Sequence, residues 1–136
     1  MPDAIKRFFD PVPESVGQAR DFVLRTLAAW DLEGRADDVR ICVSELATNA
    51  LAHGTRCGHG FHVTMNAEDD VVRVEVHDSS PRRPRRRRPT NDDVSGRGLH
   101  IVAMLSDDWG IEDRGVTGKV VWSRFKTAPA TQGAPC

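Results

Sequence analysis

Three polar residues, Glu45, Asn49 and His53, break the apolar stretch Ser44-Glu45-Leu46-Ala47-Thr48-Asn49-Ala50-Leu51-Ala52-His53-Gly54 at intervals of four. On an α-helix four residues advance about 400°, so these side chains stack on one face with roughly 6 Å between neighbouring Cβ atoms. A carboxylate and an amide oxygen are thereby aligned. A hard cation such as Mg2+ takes one or two protein oxygens and completes its octahedron with water and phosphate, which suits Asn49. Glu45, one turn earlier, can take a proton from a nucleophile. The same spacing also describes the solvated stripe of any amphipathic helix. It is not the H-E-x-x-H zinc signature, because only one histidine is present.

Asp78 closes an alternating run directly before a long loop. Its carboxylate can accept a hydrogen bond from an amino group, for instance the exocyclic amine of adenine, and would discriminate against guanine's carbonyl; an aspartate there is also ordinary turn chemistry. Ser95-Gly96-Arg97-Gly98-Leu99-His100-Ile101-Val102 follows the loop and opens a helix. Glycines let the backbone approach an anion, and helix-start N–H groups point at it. The dinucleotide fingerprint fails because its third glycine would be Ile101. A Walker loop fails because Val116 stands where lysine is required. His53, Cys57, His59 and His62 gather in one stretch, but their spacing matches no strong zinc pattern.

These groups need elements to hold them. Val16, Ala19, Phe22, Val23, Leu27 and Trp30 recur at helical spacing and predict a helix over Pro13 to Trp30. Asp31 to Arg35, with Gly34, form the turn, and a second helix runs from Ala36 to His53 and stops at Gly54. From Gly60 the period becomes two. Phe61, Val63 and Met65, then Val72, Val74 and Val76, predict a hairpin around the acidic turn Glu68-Asp69-Asp70. Helix resumes over Gly98 to Leu105, and strands follow at Asp108 to Glu112 and Gly118 to Phe125, with a further short strand at Ile5 to Phe9. This order predicts an α+β two-layer sandwich, helices on one face of a mixed, mostly antiparallel sheet.

The 136 residues suit one domain. No apolar run approaches the roughly 18 residues of a membrane span, and the three scattered cysteines form no disulfide framework, so a cytoplasmic protein with reduced thiols is expected. The net charge of −1 hides a division. Six of the 19 basic residues fall between Arg82 and Arg88, leaving 13 against 20 acidic ones elsewhere, a body of −7 beside a segment of +6. Pro81, Pro84 and Pro89 keep that segment out of regular structure. It reads as a functional loop, a passive solvated run or an arm for nucleic acid; the last is disfavoured by the absence of nearby aromatic residues and by the acidic body.

Taken together, E-L-x-x-N-A-x-x-H-G from Glu45 to Gly54, the strand-end Asp78, the long loop, G-R-G-L from Gly96 to Leu99 and a final G-K-V-V-W strand resemble the GHKL ATP-binding (Bergerat) fold shared by histidine kinases and Hsp90. Within it, the length and the two opening helices look most like the bacterial anti-sigma factor serine/threonine kinases. The resemblance spans about residues 10 to 126. It implies one ATP-binding domain over residues 1–126, an arginine-rich ATP lid over 79–95 and a flexible tail over 127–136.

The resemblance further implies that Asn49 holds Mg2+ between the phosphates and that Glu45 is the general base for an attacking hydroxyl. His53 would lie near ribose and phosphates, and Asp78 would read the adenine amine. Gly96, Arg97 and Gly98 would cradle the phosphates, with Leu99 completing the motif. The implied cofactors are ATP and Mg2+. The implied partners are a sigma factor and an anti-sigma antagonist protein, with no direct nucleic acid, no membrane and a homodimer as in many relatives. A histidine kinase is a weaker match, since a dimerising phospho-acceptor helix pair has no room beside the ATP domain. A non-catalytic ATP-binding or interaction module of the same fold is the alternative. Two positions depart from the family's usual pattern: Ser79 and Ser80 follow the aspartate where glycine is usual at the second place, and Lys119 stands about where a threonine supports it.

Overall fold

The computed structural model describes residues 4–57, 59–78, 94–113 and 118–127. In chain order these form β1 (Ile5–Phe9), α1 (Glu14–Trp30), α2 (Ala36–Cys57), β2 (Phe61–Glu68), β3 (Val71–Asp78), α3 (Val94–Leu105), β4 (Asp108–Asp113) and β5 (Lys119–Lys126). The strands make one sheet in the order β1-β2-β3-β5-β4, every neighbouring pair antiparallel. The expected α+β two-layer sandwich is therefore the fold, with β3 as central strand.

Alternation explains which sheet face is covered. Phe61, Val63, Met65, Val72, Val74, Ser123 and Phe125 are buried on one face, while the residues between them are half-exposed on the other. The helices close the buried face with Val23, Leu27, Val39, Val43 and Leu46. At the β1 edge Phe9 stacks on Phe61 at 5.4 Å and meets Phe22 edge-on at 6.1 Å, and the Arg7 guanidinium lies 5.3 Å over the Phe9 ring.

Several boundaries differ from the sequence expectation. Helix α1 does end at Trp30 as expected, with Asp31 left-handed (φ 59°); its N–H reaches the Ala28 carbonyl, and aspartate is among the few side chains that tolerate this conformation. Helix α2 continues through Gly54 to Cys57, because one glycine costs a helix only about 1 kcal/mol and no proline follows to stop it. Asp69 and Asp70 both take positive φ, the two-residue turn whose twist suits a tight hairpin. Thr127, expected at the start of a frayed tail, is buried and donates through N and Oγ1 to the Asp70 carbonyl at 2.8 and 3.0 Å. The expected arginine lid lies outside the described residues over 79–93, and its last two positions, Val94 and Ser95, are already helical.

Candidate functional site

Short connections decide which chemistry meets where. Helix α2 leads within a few residues into Phe61, the start of β2, and Phe61 pairs in register with Asp78. The C-terminal half of α2 thus lies toward the Asp78 end of the sheet. Helix α3 leads through Ser106 and Asp107 into β4, which begins opposite Arg124 and finishes opposite Lys119. Twelve residues of helix span about 18 Å, so the first turn of α3 returns toward the Lys119 end. Asp78 and Lys119 are themselves a register pair. One end of the sandwich therefore gathers the C-terminal half of α2, the start of α3, Asp78 and Lys119.

On α2, Val39, Cys42, Val43, Leu46, Ala47 and Ala50 form the buried stripe. One shoulder meets α1, where Arg20 Nη1 donates to Ser44 Oγ at 3.1 Å. Glu45 and Asn49 occupy the opposite shoulder, the side on which Cys42 meets α3 near Ser106; both are half-buried, so their oxygens lie at the margin of the core and within reach of solvent. His53 falls one helical turn beyond Asn49, and its side chain lies outside the described residues. Burial, with Asp38 nearby, pushes the Cys42 thiol up to about 12, so it is an inert core thiol.

Asp78 ends the central strand on the helix-facing side and is 8% exposed, a carboxylate at the floor of the gathering of α2 and α3. Gly96, Arg97, Gly98 and Leu99 all lie within α3, which starts four residues before the expected Gly98. Helix α3 begins at Val94, so within it the N–H groups left without helical acceptors are those of residues 94–96, while the Arg97 and Gly98 N–H groups belong to the helical ladder. Gly96 and Arg97 are thus in the anion-attracting first turn. Leu99 packs against the core.

The opposite end is a structural clasp invisible to motif reading. Arg35 Nε donates to Asp38 at 2.9 Å, Nη1 to Asp107 at 2.9 Å and Nη2 to the Leu105 carbonyl at 2.7 Å, while its guanidinium lies 5.5 Å over the Phe125 ring. Asp107 also accepts the Lys126 N–H at 2.6 Å; that bond first, and Arg35 beside it, hold its carboxyl below the usual carboxylate range. The clasp pins the C-terminal end of α3, and so fixes the direction in which its first turn points.

Of the four residues weighed from sequence as a zinc cluster, the side chains of His53 and Cys57 lie outside the described residues. Among the described residues no three His, Cys, Asp or Glu side chains are placed to hold a metal. His62 lies instead on the outer sheet face, stacked on His77 at 4.3 Å, and Glu75 joins His77 to Arg73 through contacts of 2.9 and 2.7 Å. Against the burial that would raise it, those two partners hold the Glu75 carboxyl below its usual range. Burial, with His77 and Lys6 nearby, lowers His62 to about 4. The unfolded chain takes up this proton near pH 6.5 and the folded chain only near 4, so stability is full above 6.5 and falls as pH drops through that window. We expect urea unfolding to show a loss of about 1–2 kcal/mol between these limits, after allowance for solvent screening, and His62→Phe to flatten the slope.

The site thus offers a buried acceptor at a strand end, an amide and a carboxylate along one helix shoulder, and N–H donors at the start of another helix. Those are the parts needed for a purine base and its phosphates. Among the described residues, no helix is long and apolar enough to cross a membrane. No curated protein matches the chain. A family model described as a histidine kinase-like ATPase domain matches residues 9–125, from the last residue of β1 to the penultimate residue of β5. The chain belongs to the family of histidine kinase-like ATPase domains, which implies that it binds ATP.

Proposed function

We propose that the protein is a cytoplasmic anti-sigma factor-like kinase that uses ATP and Mg2+, sequesters a sigma factor, and phosphorylates a serine or threonine of an anti-sigma antagonist protein. The observation that carries this reading is the half-buried Glu45–Asn49 pair on the α3-facing shoulder of α2, which leads toward Asp78. The donor set fits the nucleotide: Asp78 accepts from the adenine amine, the first turn of α3 with Gly96 and Arg97 meets the phosphates, and Asn49 supplies a hard oxygen for Mg2+. Leu99 packs against the core behind that turn, Gly98 precedes it in the helix, and His53, one helical turn beyond Asn49, is the residue we assign to ribose and phosphates. When bound, ATP and Mg2+ supply the activated γ-phosphoryl group and neutralise its developing charge.

Glu45 has a separate task. Its carboxylate takes the proton of the acceptor hydroxyl, which is the one acid–base step this chemistry asks of the protein. Capture of partners from the native host with and without ATP, followed by incubation with γ-labelled ATP, tests the proposal. Label on a serine or threonine of a small captured protein supports it, and label on histidine only, or no transfer, opposes it. A non-catalytic binding module of the same fold is a second reading, favoured by Lys119 at the family's threonine position; it predicts ATP binding without transfer.

A further inference from the structure

We propose that Lys119 is a second base-reading residue, donating a hydrogen bond to the N1 nitrogen of adenine while Asp78 accepts one from the adjacent amine. The inference rests on the ATP-site reading above and concerns how this chain reads the base. Antiparallel register sets Lys119 directly opposite Asp78, and the inward series Phe125, Ser123, Val121 places it on the same helix-facing side. Directly opposed residues keep their Cβ atoms about 4.5–5.5 Å apart. The other cross-strand neighbour of Asp78 is Phe61, fully buried and without a polar group. Polar help for Asp78 across the sheet on this face therefore comes from the β5 side.

Lys119 is itself half-buried, and Gly118, buried before it with φ 108°, takes a backbone conformation that L side chains rarely adopt and so fixes where β5 begins. On β4 the register partner of Lys119 is Asp113, so the cation stands between two acidic positions at this end of the sheet. A carboxylate beside an ammonium presents an acceptor next to a donor. Adenine's edge offers the complement, an amine donor at position 6 next to an acceptor nitrogen at position 1. Guanine reverses both groups, setting a carbonyl against Asp78 and an N–H against Lys119. Two unmatched polar contacts then oppose it, where a lone aspartate would give one.

Calorimetric titration of the full chain with ATP and with 1-deaza-ATP, in which a carbon replaces N1, tests this. Wild type should bind 1-deaza-ATP about tenfold more weakly than ATP, the value of one charge-assisted hydrogen bond. Lys119→Met should lose about the same factor for ATP and bind the two nucleotides equally, while Lys119→Arg, which keeps a donor, retains the discrimination. If Lys119→Met binds ATP as tightly as wild type, or if the two losses multiply, the inference is overturned while the ATP site stands. If wild type binds no ATP, the ATP-site reading falls and this inference with it.

Discussion

Glu45→Ala is expected to slow phosphoryl transfer to a serine-bearing acceptor by about 10² to 10⁴, the usual worth of a positioned general base, while ATP affinity stays within about threefold. The separation follows from position. Glu45 lies one helical turn before Asn49 on the α3-facing shoulder of α2, farther from Asp78 and the start of α3, so the nucleotide keeps its contacts when the carboxylate is removed. Glu45 is half-buried rather than part of the core stripe, which keeps the substitution from opening a cavity. Single-turnover transfer beside a binding titration makes the comparison. Equal losses in both would assign Glu45 to nucleotide binding, and no loss in transfer would remove the general-base role.

Asp78→Asn is expected to act in the other sense, weakening ATP by about ten- to a hundredfold and leaving transfer at saturating ATP much less affected. The carboxylate is 8% exposed at the end of the central strand, where its acceptor strength counts for more than at the surface. Asparagine keeps the shape and loses the charge, so the change reports on the hydrogen bond rather than on packing. Competition between ATP and a fluorescent adenine nucleotide measures it, and unchanged affinity would place the base elsewhere.

Much of this frame could be read in the chain, for a physical reason. Helices α1 and α2 and the β2–β3 hairpin announce themselves by strict 3.6- and 2-residue periods, because each buries one face against a single core. Glu45, Asn49 and Asp78 stand out as candidates because polar residues at regular places in apolar elements are conspicuous. Ends were harder: α2 runs past Gly54, where a stop was expected, and α3 starts at Val94 rather than at Gly98. Long-range pairings were not legible at all. The Arg35 clasp joins residues about 70 positions apart, and the Asp78–Lys119 register requires knowing that β5 inserts between β3 and β4. Lys119 looked from sequence like a loss at the base site, whereas the register makes it a second polar group beside Asp78. Likewise the stacking of His62 on His77 follows from the β2–β3 register and has no signature in the local sequence.

Titration of Mg2+-ATP into the full chain, at two temperatures so that a vanishing enthalpy cannot hide binding, tests most directly whether α2, the start of α3 and the end of β3 form a nucleotide site. Saturable one-to-one binding with a micromolar Kd, weakened by Asp78→Asn, is expected. No heat at either temperature, or binding indifferent to Asp78, would contradict it.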